Sequence, residues 1–398
     1  MISKRLEKLS SSSSLIREMF EEGKRLTELY GKENVFDYSL GNPSTRTPHE
    51  VKQSVIDCLM NFSEKELHGY MSNSGFPSVR KAVADDLKKR FSVPYDENCI
   101  IMTVGAAGGL NCVLQTLLNP NDEVIVISPF FTEYGNYISN WQGKMVIVEA
   151  DEPSFRLPIE RIAGAITKNT RAIIVNNPNN PTGVVYSSEE INGLSEVLKA
   201  AQAHMQTSIY IISDEPYREI CYEKMAVPFI PSYYENTIIV YSWSKSLSLP
   251  GERIGYIAIS PNASDNKLLF SSMTVSNRII GFVNAPSLIQ LVVAKCLDVP
   301  INICEYERNR QYLCKELKRI GYSFVIPQGA FYLWLKTPCD EISFVNKAKK
   351  HNLLLVPGTA FCGKGYVRLA YCVDYQMIER SISAFERLWN DIGGMQGE

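Results

Sequence analysis

The chain has 398 residues, of which 45% are hydrophobic and 21% charged. These proportions are those of an ordinary globular protein, not of a disordered chain or a fibre. The formal net charge of −2 supplies no overall attraction to nucleic acid or anionic lipid. No segment reaches the roughly 18 uninterrupted apolar residues of a membrane helix, and the N-terminus lacks the apolar core of a secretion signal. We therefore expect a cytoplasmic protein with neither a membrane nor a nucleic-acid partner.

The ten cysteines are scattered without a C-x-x-C pair, which indicates reduced thiols rather than a disulfide framework. The four histidines are widely spaced and form no ligand-like group with cysteine, so no metal is expected. The serine run at residues 10–14 is a low-complexity stretch whose composition is typical of a helix cap or a flexible turn.

Short apolar runs rich in Val and Ile alternate with helix-like segments through the middle of the chain. The runs occupy residues 99–104, 123–128, 144–150, 171–177, 209–215, 237–244 and 253–260. Most of them do not alternate with polar residues, which is typical of strands buried on both faces. Helices are predicted over residues 108–118 and 187–204, the second with Ser then Glu at its N-terminal cap. The pattern predicts an α/β fold with a mainly parallel seven-stranded sheet flanked by helices, and a hairpin joining the last two strands.

The pattern changes after about residue 295, where a long charged helix is predicted over residues 305–321 and short apolar runs follow it. We interpret this region as a smaller α+β domain that the N-terminal segment completes. The predicted boundaries are 1–48 for the N-terminal part of the small domain, 49–295 for the large domain and 296–398 for the C-terminal part.

Chemically informative residues follow the predicted strands, at the edge where open α/β sheets bind ligands. The glycine-rich turn at residues 103–109 opens a helix and is either a phosphate cradle or a tight structural turn. Residues 176–183 have the Asn, Pro and Gly content of an ordinary turn, and Asp214 has the position of a helix cap. A single lysine after a strand, such as Lys245, is most often a solvated surface group. Each motif is therefore ambiguous when it is taken singly.

In combination, these motifs resemble the fold-type I pyridoxal-phosphate (PLP) enzymes, specifically the class I and II aminotransferases. The resemblance covers nearly the whole chain, and the motifs follow the family's order. They are G-N-P at 41–43, N-P-T-G at 180–183, D-E-x-Y at 214–217, S-x-S-K at 242–245, G-x-R-x-G at 251–255, P-x-G-A-F-Y at 327–332 and Y-V-R at 366–368. The lysine and arginine blocks together are highly specific for the family.

The resemblance implies that PLP is the cofactor and that Lys245 holds it covalently and later carries a proton at the substrate α-carbon. Asp214 would keep the nitrogen of the cofactor ring protonated. Asn180 and Tyr217 would hydrogen-bond its phenolic oxygen. The implied catalytic set is therefore Lys245, Asp214 and Tyr217.

Further cofactor contacts are implied by the same resemblance. Phe131 would stack on the ring, and Tyr70 would reach the phosphate of the neighbouring subunit, which implies a homodimer. The phosphate would be held within its own subunit by Gly105, Ala106, Ala107, Ser242, Ser244 and Arg253.

Arg368 resembles the residue that binds the substrate α-carboxylate, for which a planar guanidinium is better suited than an ammonium. Gly41, Asn177 and Asn180 would line the same pocket. The likeness to bacterial aspartate aminotransferases slightly favours aspartate or glutamate as donor, while apolar and aromatic donors stay open. Three cations are candidates for binding the second carboxylate of an acidic donor: Arg156, Arg278 and Lys336.

The expected activity is transfer of an amino group from an L-amino acid to a 2-oxo acid by a ping-pong mechanism. A PLP-dependent carbon–sulfur lyase of the same fold is the alternative, because the two reactions differ only after a shared carbanion. An effector-sensing regulator is disfavoured because the stretch before Gly41 is too short for a winged helix and the chain has no basic bias. A dinucleotide-binding dehydrogenase is disfavoured because the glycine-rich turn is not G-x-G-x-x-G.

Overall fold

The computed structural model describes residues 2–11 and 15–393. Ser10 lies in the first helix, whereas residues 12–14 of the serine run lie outside the described residues. Within those two described ranges, no helix is both long enough and apolar enough to cross a membrane.

The chain alternates helices and strands through most of its length. The α-helices are α1 (Lys4–Ser11), α2 (Leu15–Tyr30), α3 (His49–Asn61), α4 (Glu64–His68), α5 (Pro77–Phe91), α6 (Gly105–Leu117), α7 (Glu133–Asn140), α8 (Ile159–Ala165), α9 (Ser188–Met205), α10 (Trp243–Ser246), α11 (Asn266–Ile279), α12 (Ser287–Ala294), α13 (Cys304–Ile320), α14 (Glu341–Lys350) and α15 (Tyr375–Asp391). The strands are β1 (Phe36–Asp37), β2 (Ile100–Thr103), β3 (Glu123–Ser128), β4 (Lys144–Glu149), β5 (Thr170–Asn176), β6 (Tyr210–Asp214), β7 (Thr237–Ser242), β8 (Gly255–Ile259), β9 (Phe324–Val325), β10 (Tyr332–Lys336), β11 (Leu353–Leu354), β12 (Val356–Pro357) and β13 (Tyr366–Ala370).

The seven predicted Val- and Ile-rich runs form one seven-stranded sheet in the order β2-β8-β7-β6-β5-β3-β4. β8 runs antiparallel to its neighbours β2 and β7, and the other neighbouring strands are parallel. The mainly parallel sheet and the β7–β8 hairpin predicted from the sequence are thereby confirmed.

The central strands are apolar on both sides because helices cover both faces of the sheet. In β6, Ile211 belongs to a buried cluster with Leu194 of α9, whereas the next residue, Ile212, packs in a cluster with Leu110 of α6. Burying each such side chain contributes about 1.5–3 kcal/mol. The start of α9 is fixed by a capping box between Ser187 and Glu190, as the sequence predicts.

The C-terminal part of the chain forms a four-stranded antiparallel sheet in the order β12-β13-β10-β9. The predicted long helix is present as α13, which ends at Gly321 in the left-handed conformation (φ 117°). The N-terminal segment joins this region, because β1 pairs in parallel with β11 through Phe36 and Leu353. The domain boundaries after residues 48 and 295 stay predictions.

Candidate active site

The sheet topology brings the predicted site residues to one edge. β2, β3, β5, β6 and β7 run parallel to one another, so their carboxyl ends meet there. Because β8 runs in the opposite direction, its amino end reaches the same edge, and Arg253 just precedes it. Arg253, which precedes β8, therefore lies at the same edge of the sheet as the residues that follow β2, β3, β5, β6 and β7. Open α/β sheets bind ligands at this edge.

A cavity of about 300 Å³ opens at this edge. It combines apolar and aromatic walls with a few polar groups, as small-molecule sites do. Its lining residues are Leu40, Gly41, Ala106, Ala107, Leu110, Phe131, Tyr137, Asn176, Asn180, Asp214, Pro216, Tyr217, Ser242, Ser244, Lys245, Pro250, Arg253, Tyr332 and Arg368.

Lys245 lies in the short helix α10, directly after β7, and its amine points to the N-terminal segment. Its Nζ donates a hydrogen bond to the backbone oxygen of Gly41 at 2.7 Å. Burial and the nearby cations Arg368 and Arg253 lower the pKa of Lys245 to about 8, although the Cys372 thiol acts in the opposite direction. An amine with such a pKa is partly uncharged near neutral pH, as a nucleophile and a base must be.

Asp214 is the last residue of β6 and is buried, yet one of its two carboxylate oxygens has no hydrogen-bond partner. Its Oδ2 accepts a hydrogen bond of 2.5 Å from the hydroxyl of Tyr134, whereas its Oδ1 has no hydrogen-bond partner. Burial raises the pKa of Asp214 to about 7; the bond from Tyr134 opposes this rise and Glu215 adds to it. A buried acceptor without a donor is rare in native proteins, and Asp214 lines the cavity, so a ligand bound there is a natural source of the donor.

Arg368 comes from β13 of the four-stranded sheet, lines the cavity and is buried. Its Nη1 donates to Asn180 Oδ1 at 3.2 Å and its Nη2 to the backbone oxygen of Ser39 at 2.6 Å, while its Nε has no partner. Burial lowers the pKa of Arg368, but an arginine stays charged in a protein. The rings of Tyr332 and Phe361 lie 4.5 and 4.6 Å from the guanidinium carbon, so the charge is held between two aromatic faces.

Tyr217 follows β6 and is hydrogen-bonded to Tyr332, the first residue of β10. The Tyr217 and Tyr332 hydroxyls are 2.9 Å apart. Burial raises the pKa of Tyr217 well above its ordinary value, so the phenol stays protonated at neutral pH. Gly41 lies against the Tyr332 hydroxyl, so closely that a Cβ at position 41 would collide with it.

Positive and hydrogen-bonding groups gather at the end of the cavity next to α6. Gly105 opens that helix with φ 73°, and a Cβ built on it would lie 3.1 Å from Arg253 Nη2. The hydroxyls of Ser242 and Ser244 are 2.6 Å apart and line the same cavity. A helix N-terminus, a guanidinium and two hydroxyls are donors that suit a phosphate group.

Three predicted site residues do not line the cavity: Asn177, Tyr70 and Gly105, the last of which directly precedes the lining residue Ala106. The side chain of Asn177 is occupied elsewhere: its Oδ1 accepts from the Tyr186 backbone N–H at 3.0 Å and its Nδ2 donates to the Tyr186 carbonyl at 3.4 Å. Tyr70 is 93% exposed and borders a separate surface depression together with Phe282. The three candidate cations for a second carboxylate also lie outside the cavity lining: Arg156, Arg278 and Lys336.

Several cavity residues escaped the sequence reasoning. Leu40, Tyr137 and Asn176 line the cavity directly, and Tyr134 reaches it through Asp214. Tyr332 belongs to a motif quoted above, and no contact with the cofactor was predicted for it. Tyr134 and Tyr137 are spaced by three residues in α7, directly after Phe131. That spacing on one helix face was the available signal.

The donors and acceptors of the cavity fit PLP. The unpartnered Oδ1 of Asp214 matches a protonated ring nitrogen, and the lowered pKa of Lys245 matches covalent attachment through its amine. The groups around Gly105 match the cofactor's phosphate, and the partly buried ring of Phe131 offers a flat face to an aromatic ring. Fold and cavity together define a PLP-dependent enzyme of fold-type I.

Comparisons with known proteins identify the family. The model of the family described as aminotransferase class I and II matches residues 33–385. A crystal structure of an amino transferase from Eubacterium rectale is 39% identical with a TM-score of 0.96, over 99% of each chain. The aromatic-amino-acid aminotransferase 2 of Thermococcus litoralis is 30% identical over 97% of this chain and 98% of its own. The aspartate aminotransferase of Thermotoga maritima is 28% identical over 98% of each chain.

The chain belongs to the class I and II aminotransferase family. Its activity is accordingly that of a PLP-dependent transaminase, and its substrates are amino acids and 2-oxo acids. The fold, cofactor and reaction class predicted from the sequence are confirmed. The roles of individual residues stay predictions at this point.

Proposed function

We propose that the enzyme transfers the amino group of an L-amino acid to a 2-oxo acid by a ping-pong mechanism, with broad donor specificity. The observation that carries this proposal is the convergence of three groups on one cavity. They are the amine of Lys245, the unpartnered oxygen of Asp214 and the buried guanidinium of Arg368. They match the amine, ring-nitrogen and carboxylate partners that a transamination requires.

When bound, PLP supplies an electron sink for the electron pair left on the substrate α-carbon after a proton is removed. Lys245 Nζ holds the cofactor and then carries that proton, because a pKa of about 8 lets the amine accept and release it near neutral pH. The backbone oxygen of Gly41, which accepts from Nζ at 2.7 Å, orients the amine.

Asp214 would accept a hydrogen bond at Oδ1 from the protonated ring nitrogen. A cation at that position would also lower the carboxyl's pKa from about 7, since an opposite charge favours the ionised form. Asn180 and the protonated hydroxyl of Tyr217 would bond the phenolic oxygen. Phe131 would cover one face of the ring.

Six residues would hold the phosphate, five of them by N–H or hydroxyl groups at the start of α6, at the end of β7 and in α10. The set comprises Gly105, Ala106, Ala107, Ser242, Ser244 and Arg253. Arg253 adds the charge that the backbone groups lack.

Arg368 would bind the α-carboxylate of the substrate. Its contacts with Asn180 and Ser39 fix the plane of the guanidinium, which favours bidentate binding. Gly41 would line the same pocket, where its lack of a side chain makes room for the Tyr332 hydroxyl. Asn177 would contribute through the conformation of its turn, since its amide pairs with the Tyr186 backbone.

The charges of the cavity residues favour particular amino donors. Among the residues that the structure describes, its lining cations are Lys245, Arg253 and Arg368, and each has a role already. The remaining wall is largely apolar or aromatic, through Leu40, Phe131, Tyr137 and Tyr332. We therefore place aromatic and apolar amino acids among the donors. Aspartate or glutamate would need a cation from a second subunit.

A reaction with one substrate at a time tests the proposed function. The PLP-loaded enzyme is mixed with single L-amino acids, without any 2-oxo acid, and the products are quantified. We expect one equivalent of the matching 2-oxo acid per active site and no ammonia, because the amino group stays on the enzyme. Continuous release of ammonia would favour the carbon–sulfur lyase alternative. The amino acids that react define the donor range.

A homodimer in which Tyr70 serves the neighbouring subunit is part of the proposal. The almost complete exposure of Tyr70 within one chain supports this arrangement. Leu268, Val275 and Ile279 form an exposed apolar stripe on α11, of the kind that subunit interfaces cover. The cytoplasmic location stays a prediction.

Substitution of Tyr70 tests the shared site. Tyr70→Phe should weaken PLP binding by about 10- to 150-fold, because a hydrogen bond to a charged phosphate contributes about 1.5–3 kcal/mol. Fluorescence titration of the apoenzyme measures the affinity, and sedimentation gives the oligomeric state. Tyr30→Phe, at an exposed tyrosine of α2, is the control. A monomer that binds PLP as tightly as the wild type does would contradict the shared site.

A further inference from the structure

Tyr134 does not line the cavity, yet it is bonded to a group that does. It is the second residue of α7 and is 1% exposed. Its ring lies 6.4 Å from that of Phe130 at an interplanar angle of 19°, and 5.6 Å from that of Phe131 at 86°. These contacts fix the ring, so its hydroxyl has a defined position facing Asp214 Oδ2.

The two oxygens of the Asp214 carboxylate have different surroundings. Among the described residues, Tyr134 is the donor to Oδ2, and Oδ1 has none. A rotation of the carboxylate would break the bond to Tyr134, and a buried charged group without partners is costly. The bond therefore selects the orientation in which Oδ1 stays free.

We propose that Tyr134 is a positioning residue of this active site, which keeps Asp214 ionised through Oδ2 and leaves Oδ1 available to the cavity. The importance of this contact for turnover rests on the proposed function of Asp214. The contact itself belongs to the protein alone and can be tested without the cofactor.

Electrostatics support this geometric argument. Burial disfavours the charged carboxylate, and the hydrogen bond from Tyr134 is the influence that lowers the pKa of Asp214. Burial and the adjacent carboxylate raise the pKa of Tyr134 well above its ordinary value, so the phenol keeps its proton and remains a donor.

The other titratable groups around Asp214 cannot replace that donor. Tyr137 of α7 and Tyr217 donate no hydrogen bond to the carboxylate; burial and, to a lesser extent, the Asp214 charge raise the pKa values of their hydroxyls. Glu215 is a neighbouring negative charge, and its own carboxylate is paired with Arg218. Burial and the charge of Glu215 both raise the pKa of Asp214. Removing the Tyr134 hydroxyl therefore removes the hydrogen bond that opposes this rise.

Tyr134→Phe tests the proposal in the cofactor-free enzyme. Infrared difference spectra against Asp214→Asn isolate the Asp214 carboxyl band, which is followed as a function of pH. The titration midpoint should move to higher pH than in the wild type, because loss of a hydrogen bond to the ionised form favours the protonated form. In the PLP-loaded enzyme, kcat at neutral pH should fall about tenfold, with little change in KM.

Tyr234→Phe is the matched control, since this buried tyrosine bonds the backbone oxygen of Ile209 at 2.7 Å, away from the cavity. It should leave the Asp214 midpoint unchanged. Tyr134→3-fluorotyrosine serves if the phenylalanine variant does not fold; its more acidic hydroxyl is a stronger donor and should lower the midpoint. An unchanged midpoint in either Tyr134 variant overturns the proposal.

The two proposals fail in different experiments. Protonation of the bound cofactor's ring nitrogen, measured by nitrogen NMR with labelled PLP, reports on Asp214. If Asp214→Asn leaves that signal unchanged while Tyr134→Phe moves the apoenzyme midpoint, the positioning contact is supported and the role of Asp214 is refuted. If Asp214→Asn changes the signal while Tyr134→Phe leaves the apoenzyme midpoint unchanged, the role of Asp214 is supported and the positioning contact is refuted.

Discussion

Lys245→Ala should bind PLP weakly and lose turnover by at least about three orders of magnitude, since general acid–base catalysis alone contributes about 10²–10⁴-fold. Two losses combine in this variant. The covalent attachment point disappears, and with it the amine whose pKa of about 8 suits proton transfer near neutral pH. Turnover is measured with excess PLP, and borohydride reduction followed by mass spectrometry shows whether the cofactor is attached.

Lys88→Ala is the control for Lys245→Ala. Lys88 is an exposed lysine of α5, so its removal should leave both the covalent adduct and the turnover unchanged. Transamination at the normal rate by Lys245→Ala would refute the proposed mechanism. A reduced adduct found on another lysine would show that the attachment point had been wrongly chosen.

The architecture could be predicted because its determinants are local. The buried strands are uninterrupted runs of Val and Ile, and their length and spacing distinguish them from helices. The meeting of Asp214 and Lys245 follows from the same reasoning, since carboxyl ends of parallel strands share one edge. Arg253 arrives there through the β7–β8 hairpin, which the short spacing of the two runs had indicated.

Side-chain direction within a turn could not be predicted. Asn177 and Asn180 have the same amide group and lie three residues apart, yet the structure turns only Asn180 to the cavity. The path of the backbone decides this: Asn177 pairs with the backbone of Tyr186, whereas Asn180 Oδ1 meets Arg368. Composition and spacing contain no information about that choice.

Contacts between distant segments were also beyond the sequence. Tyr134 lies among aromatic residues that are typical of a core, and its partner Asp214 is 80 positions away in the chain. Gly41 and Tyr332 approach each other across the N-terminal segment and β10, so the need for glycine at 41 appears only in three dimensions. Such positions depend on tertiary packing, which the local pattern does not encode.

Arg368→Lys should lower kcat/KM for amino acids roughly 10²–10³-fold, mainly through a higher KM, since two charge-assisted hydrogen bonds to a carboxylate contribute about 1.5–3 kcal/mol each. Lysine keeps the charge but cannot reproduce the planar two-pronged geometry. Arg368→Ala should raise KM further. It should also reduce stability, because Asn180 Oδ1 and the Ser39 carbonyl lose their buried donor.

A substrate pair separates the carboxylate contact from a general disturbance of the site. Phenylalanine and phenethylamine differ only in the α-carboxylate, so the penalty of Arg368→Lys should be large for the first and nearly absent for the second. Arg387→Ala, at an exposed arginine of α15, is the control and should affect neither. Equal penalties for both substrates would mean that Arg368 supports the cavity without binding the carboxylate. A near-normal KM for phenylalanine would place the carboxylate contact elsewhere.

The expected difference requires that the guanidinium be held in one plane before substrate arrives. The contacts with Asn180, Ser39 and the two flanking rings hold it in this way.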